Sequence, residues 1–175
     1  CIHLCRGNFR SSWVAEGGYE PVAEALFNEL AVDGYFLEYD DERSGDFAPL
    51  RHVPKGKTVV LGLVSSKMPT LESKDELKKR IDEAAAYMPL EQMALSPQCG
   101  LSSTAEGNAI TEDDQYAKPR SGIETAADVW GQAKRSRLTS WVGIPRRLAC
   151  ASSERSLPGR PSRPWPTPSP PSAPP

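Results

Sequence analysis

Hydrophobic positions along this chain alternate between short strand-like runs and segments of helical period. Ile2-His3-Leu4-Cys5 is a brief apolar run stopped by Arg6-Gly7-Asn8, which suits the end of a strand entering a loop. Over residues 19–30, Val22, Ala25, Leu26, Glu29 and Leu30 recur at helical spacing, with Pro21 tolerated in the first turn, so a helix is predicted. Asp33-Gly34 marks a turn, and the aromatic-rich residues 35–39 read as a short buried strand that gives way to the polar run 40–46. Residues 47–52 suit a brief helix. Residues 58–64 (TVVLGLV) form the strongest strand pattern, nearly continuous in β-branched and aliphatic side chains, as in parallel strands buried on both faces.

Ser65-Ser66-Lys67 closes that strand. Ser73-Lys74-Asp75-Glu76 has the form of a capping box, and Leu77, Ile81, Ala84 and Ala85 keep helical spacing as far as Tyr87, before Pro89 ends the helix. Residues 92–96 are a fourth short strand. Thr111-Glu112-Asp113-Asp114 then opens a last helix toward Val129 and Trp130, which Pro119 is expected to bend or break. The order strand, helix, strand, short helix, strand, helix, strand, helix is the alternation that right-handed crossovers turn into a parallel sheet of an α/β protein. Four βα units are half of an eight-fold barrel. A doubly wound open sheet fits the same count, although its usual Gly-x-Gly-x-x-Gly is absent.

Composition divides the chain in two. Of its 175 residues, 132–175 hold eight Lys/Arg and one acid, leaving 13 basic and 22 acidic residues in 1–131; the front carries about −9 and the tail about +7. Nine of the 17 prolines follow Ser156, a composition unable to bury enough apolar surface to offset chain entropy. Residues 1–131 are therefore read as the foldable part and 132–175 as a basic, Pro-rich disordered tail. No window approaches eighteen unbroken apolar residues, so no membrane span or membrane partner is expected. The opening Cys1-Ile2-His3, without Met and without a secretory or transit pattern, reads as a fragment or processed chain of the cytoplasm.

Four cysteines at positions 1, 5, 99 and 150 do not make a disulfide scaffold, which turns attention to metal or catalytic roles. In a parallel barrel the loops after the strands open on one rim, so residues at strand C-terminal ends converge. Those ends carry His3, Cys5, Glu38 and Cys99. His3 and Cys5, two apart on one strand, point the same way. One imidazole, one carboxylate and two thiolates make a four-ligand zinc set dispersed over three strands, more typical of a catalytic site than of a zinc finger. The bland alternative is ordinary strand-end polarity and buried thiols.

His3-Leu4-Cys5-Arg6-Gly7-Asn8, Gly18-Tyr19-Glu20-Pro21, Phe36-Leu37-Glu38-Tyr39-Asp40 and Ser96-Pro97-Gln98-Cys99-Gly100 resemble the C-terminal catalytic barrel of cobalamin-independent methionine synthase and its single-barrel relatives. The resemblance runs over about residues 2–131. It implies that the chain is the C-terminal half of a (β/α)8 barrel, with His3, Cys5, Glu38 and Cys99 holding a catalytic Zn2+. It further implies transfer of a methyl group from 5-methyltetrahydrofolate to the thiol of homocysteine, giving methionine, with small-molecule thiol and methylated folate as partners. Glu38 is the expected exchangeable ligand and the one catalytic carboxylate. The family barrel has four further βα units before the His-x-Cys strand, so the resemblance implies an incomplete substrate pocket, pairing with a missing barrel half, and little turnover by the fragment alone. The alternatives are a non-catalytic zinc-binding fragment and a relative that alkylates another thiol, such as coenzyme M.

Residues 132–175 are unlike the family's ending, and a reading frame run past the true end is favoured over a genuine appendage, making Cys150 an accidental thiol. Lys118-Pro119-Arg120-Ser121-Gly122 looks like a disturbed helix. The basic runs Lys134-Arg135-Ser136-Arg137 and Arg146-Arg147 are read as solvated, with no nucleic-acid partner, and the prolines of the tail as a poor signal for a polyproline-binding groove. The run Asp40-Asp41-Glu42-Arg43 is read as solvated loop acids in preference to a group orienting a substrate amine or a metal-site histidine, Ser65-Ser66-Lys67 as either a turn cap or a contact to a polar or anionic group of the substrate, and Asp113-Asp114 as a response to the helix dipole.

Overall fold

The computed structural model describes residues 1–12, 14–101 and 107–131. The sequence readings of 132–175, including the tail, its basic runs and Cys150, lie outside the described residues. Four strands, β1 (Ile2–Leu4), β2 (Gly34–Glu38), β3 (Thr58–Val64) and β4 (Met93–Pro97), form one sheet in the order β1-β2-β3-β4, with every neighbouring pair parallel. Parallel neighbours in chain order need a crossover between each pair, and the α/β half-barrel arrangement expected from the alternation is what forms.

The sheet register sorts side chains by face. Tyr35, Val59 and Met93 are register partners, as are Leu37, Leu61 and Leu95, and all six belong to the main buried cluster under the helices. The opposite parity aligns His3 with Phe36, Val60 and Ala94, and Glu38 with Gly62 and Ser96. All seven residues of β3 are buried, the two-sided burial its unbroken apolar run predicts.

Between β1 and β2 the chain is helical, as expected, but it comprises a 3-10 turn at Glu20–Val22 and a π-helical turn at Ala25–Glu29. Its inward face also differs from the sequence reading. Ala23, Leu26 and Phe27 are buried, whereas Val22 and Leu30 are exposed. Phe27 packs edge-on against Tyr35, with ring centroids 4.9 Å apart, and that aromatic contact sets which side of the segment turns inward. Residues 47–52 form the brief helix foreseen, as a 3-10 helix at Ala48–His52.

Helix α1 (Lys74–Ala85) begins at the foreseen capping box: the Glu76 N–H donates to the Ser73 hydroxyl and the Ser73 N–H donates to the Glu76 carboxylate. It buries Leu77, Ile81 and Ala84. Helix α2 (Glu112–Trp130) is capped by Thr111 and Asp114 in the same reciprocal way, a more specific role for Asp114 than a general response to the helix dipole.

Pro119 neither breaks α2 nor ends it, contrary to the disturbed helix read around it. Long-range anchoring outweighs the lost backbone bond. The Lys118 ammonium, fully buried, reaches the Thr70 carbonyl and the Glu72 carboxylate, while Ser121, Gly122, Thr125 and Ala126 are buried on the same helix. An interior helical proline costs about 3 kcal/mol, partly offset by up to about 1 kcal/mol from the stiffer unfolded chain. Pro119→Ala is therefore expected to raise stability by about 2–3 kcal/mol, read as a higher urea midpoint at unchanged slope; an unchanged midpoint would mean that the ring's own packing compensates.

Candidate metal centre

The C-terminal ends of β1 and β4 bring three metal-ligating side chains together. His3 lies in β1, Cys5 follows its last residue and Cys99 lies two residues past β4, and one donor atom from each falls within 4.8 Å of the others. Cys5 Sγ is 3.0 Å from Cys99 Sγ, which in turn is 3.5 Å from His3 Nε2. Two sulfurs on one tetrahedral zinc sit about 3.8 Å apart, so a modest spreading of the pair admits the ion. The His3 ring is already oriented for ligation: its Nδ1 lies 3.2 Å from the Phe36 carbonyl, so Nδ1–H donates there and Nε2 keeps its lone pair toward the sulfurs.

Both sulfurs receive N–H donors. The Gly7 N–H donates to Cys5 Sγ at 3.1 Å, and the Gln98 amide donates to Cys99 Sγ at 3.0 Å. Gln98 is buried, and its carbonyl end accepts from the Ser66 hydroxyl at 2.8 Å, which fixes the amide so that its NH2 faces the thiol. Burial and the adjacent Cys5 thiol push the Cys99 thiol up from its ordinary range. Two sulfurs this close, with an imidazole beside them, make a soft donor set that suits a zinc ion.

Glu38 stands next to this group rather than in it. The last residue of β2, it is buried, and each oxygen is engaged: Oε1 accepts from Lys67 Nζ at 2.6 Å and Oε2 from the Arg6 N–H at 2.6 Å. Burial raises the Glu38 carboxyl, but the Lys67 hydrogen bond, the Arg6 N–H and the Lys67 charge outweigh it and leave it below the usual range. The backbone here is tied down as well. The Glu38 N–H donates to the Tyr19 hydroxyl at 2.7 Å, that hydroxyl lies 3.2 Å from the Leu4 carbonyl, and the Arg6 guanidinium lies over the Tyr19 ring. Tyr19 thus pins the ends of β1 and β2 to one another.

Lys67 and Asp40 take roles that the sequence pattern did not reveal. The Lys67 side chain is 4% exposed and that of Asp40 1%, so Asp40 is no solvated loop acid and Lys67 no mere turn residue. Lys67 Nζ lies 3.2 Å from Asp40 Oδ2 as well as on Glu38. Burial lowers the Lys67 ammonium's pKa, but its two carboxylate partners more than reverse this and hold it above the usual range; burial raises that of Asp40 despite Lys67. Strand-end position was the available signal for all three, and only their approach in space shows that they share one charge cluster. Asp41 instead caps the 3-10 turn Glu42–Ser44 and pairs with Arg43. A cavity of about 450 Å3 opens beside the cluster, lined by Asp40, Ser65, Lys67, Thr70 and Glu72 among others.

Four parallel βα units with a His, Cys, Cys group at the strand ends define part of a barrel-type α/β domain with a candidate metal centre on its rim. The chain belongs to the family described as "Cobalamin-independent synthase, Catalytic domain", whose sequence model matches residues 2–115. It is 56% identical over 130 residues to the uncharacterized protein YxjG of Bacillus subtilis (strain 168) and 55% identical to YxjH of the same organism, in each case over 74% of this chain and 34% of the relative. Among solved structures it is similar to the "Putative Vitamin-B12 Independent Methionine Synthase" of Listeria monocytogenes, at 40% identity and a TM-score of 0.55 over 74% of this chain and 34% of that one. A B12-independent methionine synthase from Shewanella sp. W3-18-1, in complex with selenomethionine, shares the fold at 16% identity and a TM-score of 0.56, over 73% of this chain and 37% of that one. The chain spans about a third of the length of the curated relatives it matches. Among the described residues no helix is long and apolar enough to cross a membrane.

Proposed function

We propose that the chain supplies the metal-bearing part of a zinc-dependent methyltransferase that moves a methyl group from a methylated folate to the thiol of homocysteine, giving methionine. The observation that carries this reading is the His3, Cys5, Cys99 group at the strand ends of a family member, with its ring tautomer and thiol donors already arranged. His3, Cys5 and Cys99 would hold Zn2+, and Glu38 is the candidate exchangeable fourth ligand. Bound zinc lowers the pKa of a substrate thiol, so that a nucleophilic thiolate is present at neutral pH.

The protein's own residues perform the positioning. The Phe36 carbonyl orients His3, Gln98 and the Gly7 N–H stabilise sulfur charge, and Tyr19 holds the two strand ends in register. Since the chain spans about a third of its relatives, the folate site and most amino-acid contacts are assigned to a partnering barrel half, and the cytoplasm is the proposed compartment.

X-ray absorption at the zinc edge tests the reading without requiring turnover. The zinc-loaded chain should show two sulfur neighbours, and three after homocysteine is added. With homocysteine in large excess, to offset the contacts the partnering half would supply, two in both samples would remove thiol activation at this centre and leave a zinc-binding fragment. Coenzyme M, added in place of homocysteine, tests the other acceptor.

A further inference from the structure

Lys67 is a buried side chain at this site that the proposed reaction does not use. It comes from the loop after β3, 29 residues from Glu38, and its ammonium sits between Glu38 Oε1 and Asp40 Oδ2 at 2.6 and 3.2 Å. Glu38 is tied to both sulfur-bearing segments. Its other oxygen accepts from Arg6, the neighbour of Cys5, and its carboxylate also feels Gln98, whose amide donates to Cys99. The carboxylate therefore adjoins the metal-binding group while committed to a fixed cation. One ammonium against two carboxylates leaves the buried cluster net negative, so Glu38 can turn toward a second cation while Asp40 keeps the ammonium, at the cost of the Lys67–Glu38 bond.

We propose that Lys67 is a positioning residue that competes with the metal for the Glu38 carboxylate, keeping Glu38 a weak and readily displaced ligand so that a substrate thiol can take its place. The proposal rests on the metal-site reading above. A carboxylate shared between an ammonium and a metal holds the metal less tightly than a free one, because binding must give up a charge-assisted hydrogen bond in a buried setting. Removing the ammonium leaves Glu38 and Asp40 as two buried carboxylates whose available counter-ion is the metal, so metal affinity should rise. A residue that merely supported the fold would produce the opposite change when removed.

The test is cobalt(II) titration of the full chain, followed by visible absorption, for the unaltered protein, Lys67→Met, Lys67→Arg and Lys67→Met/Glu38→Gln. Lys67→Met is expected to bind cobalt about tenfold more tightly, with a more intense ligand-field band from added carboxylate coordination, and to need about tenfold more homocysteine to develop the new sulfur-to-cobalt band. Lys67→Arg should restore the original behaviour, and Glu38→Gln in the double variant should abolish the gain. Unchanged or weaker cobalt binding in a folded Lys67→Met protein overturns the proposal. Should circular dichroism show that Lys67→Met does not fold, Glu38→Gln alone decides: a loss of cobalt affinity below about thirtyfold supports a ligand already held back, and a larger loss overturns it. Failure of every variant and of the unaltered chain to bind cobalt would instead overturn the metal site itself and this proposal with it.

Discussion

Cys99→Ser is expected to abolish zinc binding, with the metal content of the purified chain falling from about one equivalent to near zero and the affinity dropping by more than about a hundredfold. The geometry makes Cys99 the hub of the group. Its sulfur is 3.0 Å from Cys5 Sγ, 3.5 Å from His3 Nε2 and 3.0 Å from the Gln98 amide, so its loss breaks the contact that joins the β4 end to β1. A serine hydroxyl does not ionise near neutral pH and binds zinc poorly, leaving only His3 and Cys5 at the end of β1 and the exchangeable Glu38. Elemental analysis beside Cys1→Ser is the check, since Cys1 is exposed and outside the group. Full zinc retention in Cys99→Ser would exclude Cys99 as a ligand. The same chemistry sets a pH dependence. Burial and Cys5 raise the Cys99 thiol, so protons compete with the metal, and zinc affinity should fall as pH falls, by about tenfold per unit for each thiol that must ionise.

Gly62→Ala is expected to destabilise the fold by about 3 kcal/mol, at the upper end of overpacking effects. A Cβ on Gly62 would lie 2.8 Å from the Leu37 carbonyl oxygen and 2.9 Å from Gln98 Cα, both backbone atoms that cannot rotate away. Gly62 is the register partner of both Glu38 and Ser96, in the central strand. Relief of the clash must move β2 away from the turn that carries Gln98 and Cys99, so the metal centre should loosen together with the fold. Thermal unfolding should shift down by roughly 10 °C, whereas Gly100→Ala, where a Cβ meets nothing within 4 Å, should stay within about 0.5 kcal/mol of the parent. A Gly62→Ala protein of parental stability would show that the sheet absorbs a methyl group at its tightest point.

The elements most legible in the sequence were those whose cause is local. The β3 run at Thr58–Val64 and the Ser73 and Glu76 capping box depend on side chains within a few residues of one another, and both form where the pattern puts them. The segment after β1 was read with the wrong face because the sides of a short helical stretch with apolar residues at 22, 23, 25, 26, 27 and 30 differ little in hydrophobicity; the fit of Phe27 against Tyr35 chose between them. Pro119 departs from its local expectation for a similar reason. Helix propensity counts the lost backbone bond, but not the Lys118 anchor to Thr70 and Glu72, some 46 residues away in sequence.

By itself, the sequence determined the alternation of four strands with helices and the three donors His3, Cys5 and Cys99 at strand ends, because parallel topology carries strand C-termini to one rim whatever the side-chain details. Only the tertiary structure decided that Glu38 is bound by Lys67 and Arg6, that Asp40 is buried with them, and that Gln98 faces Cys99. The reason is electrostatic. A Lys or Asp at a strand end looks the same in a sequence whether it meets water or a buried partner, and its energy and role differ only after three loops have closed around it and water has been excluded.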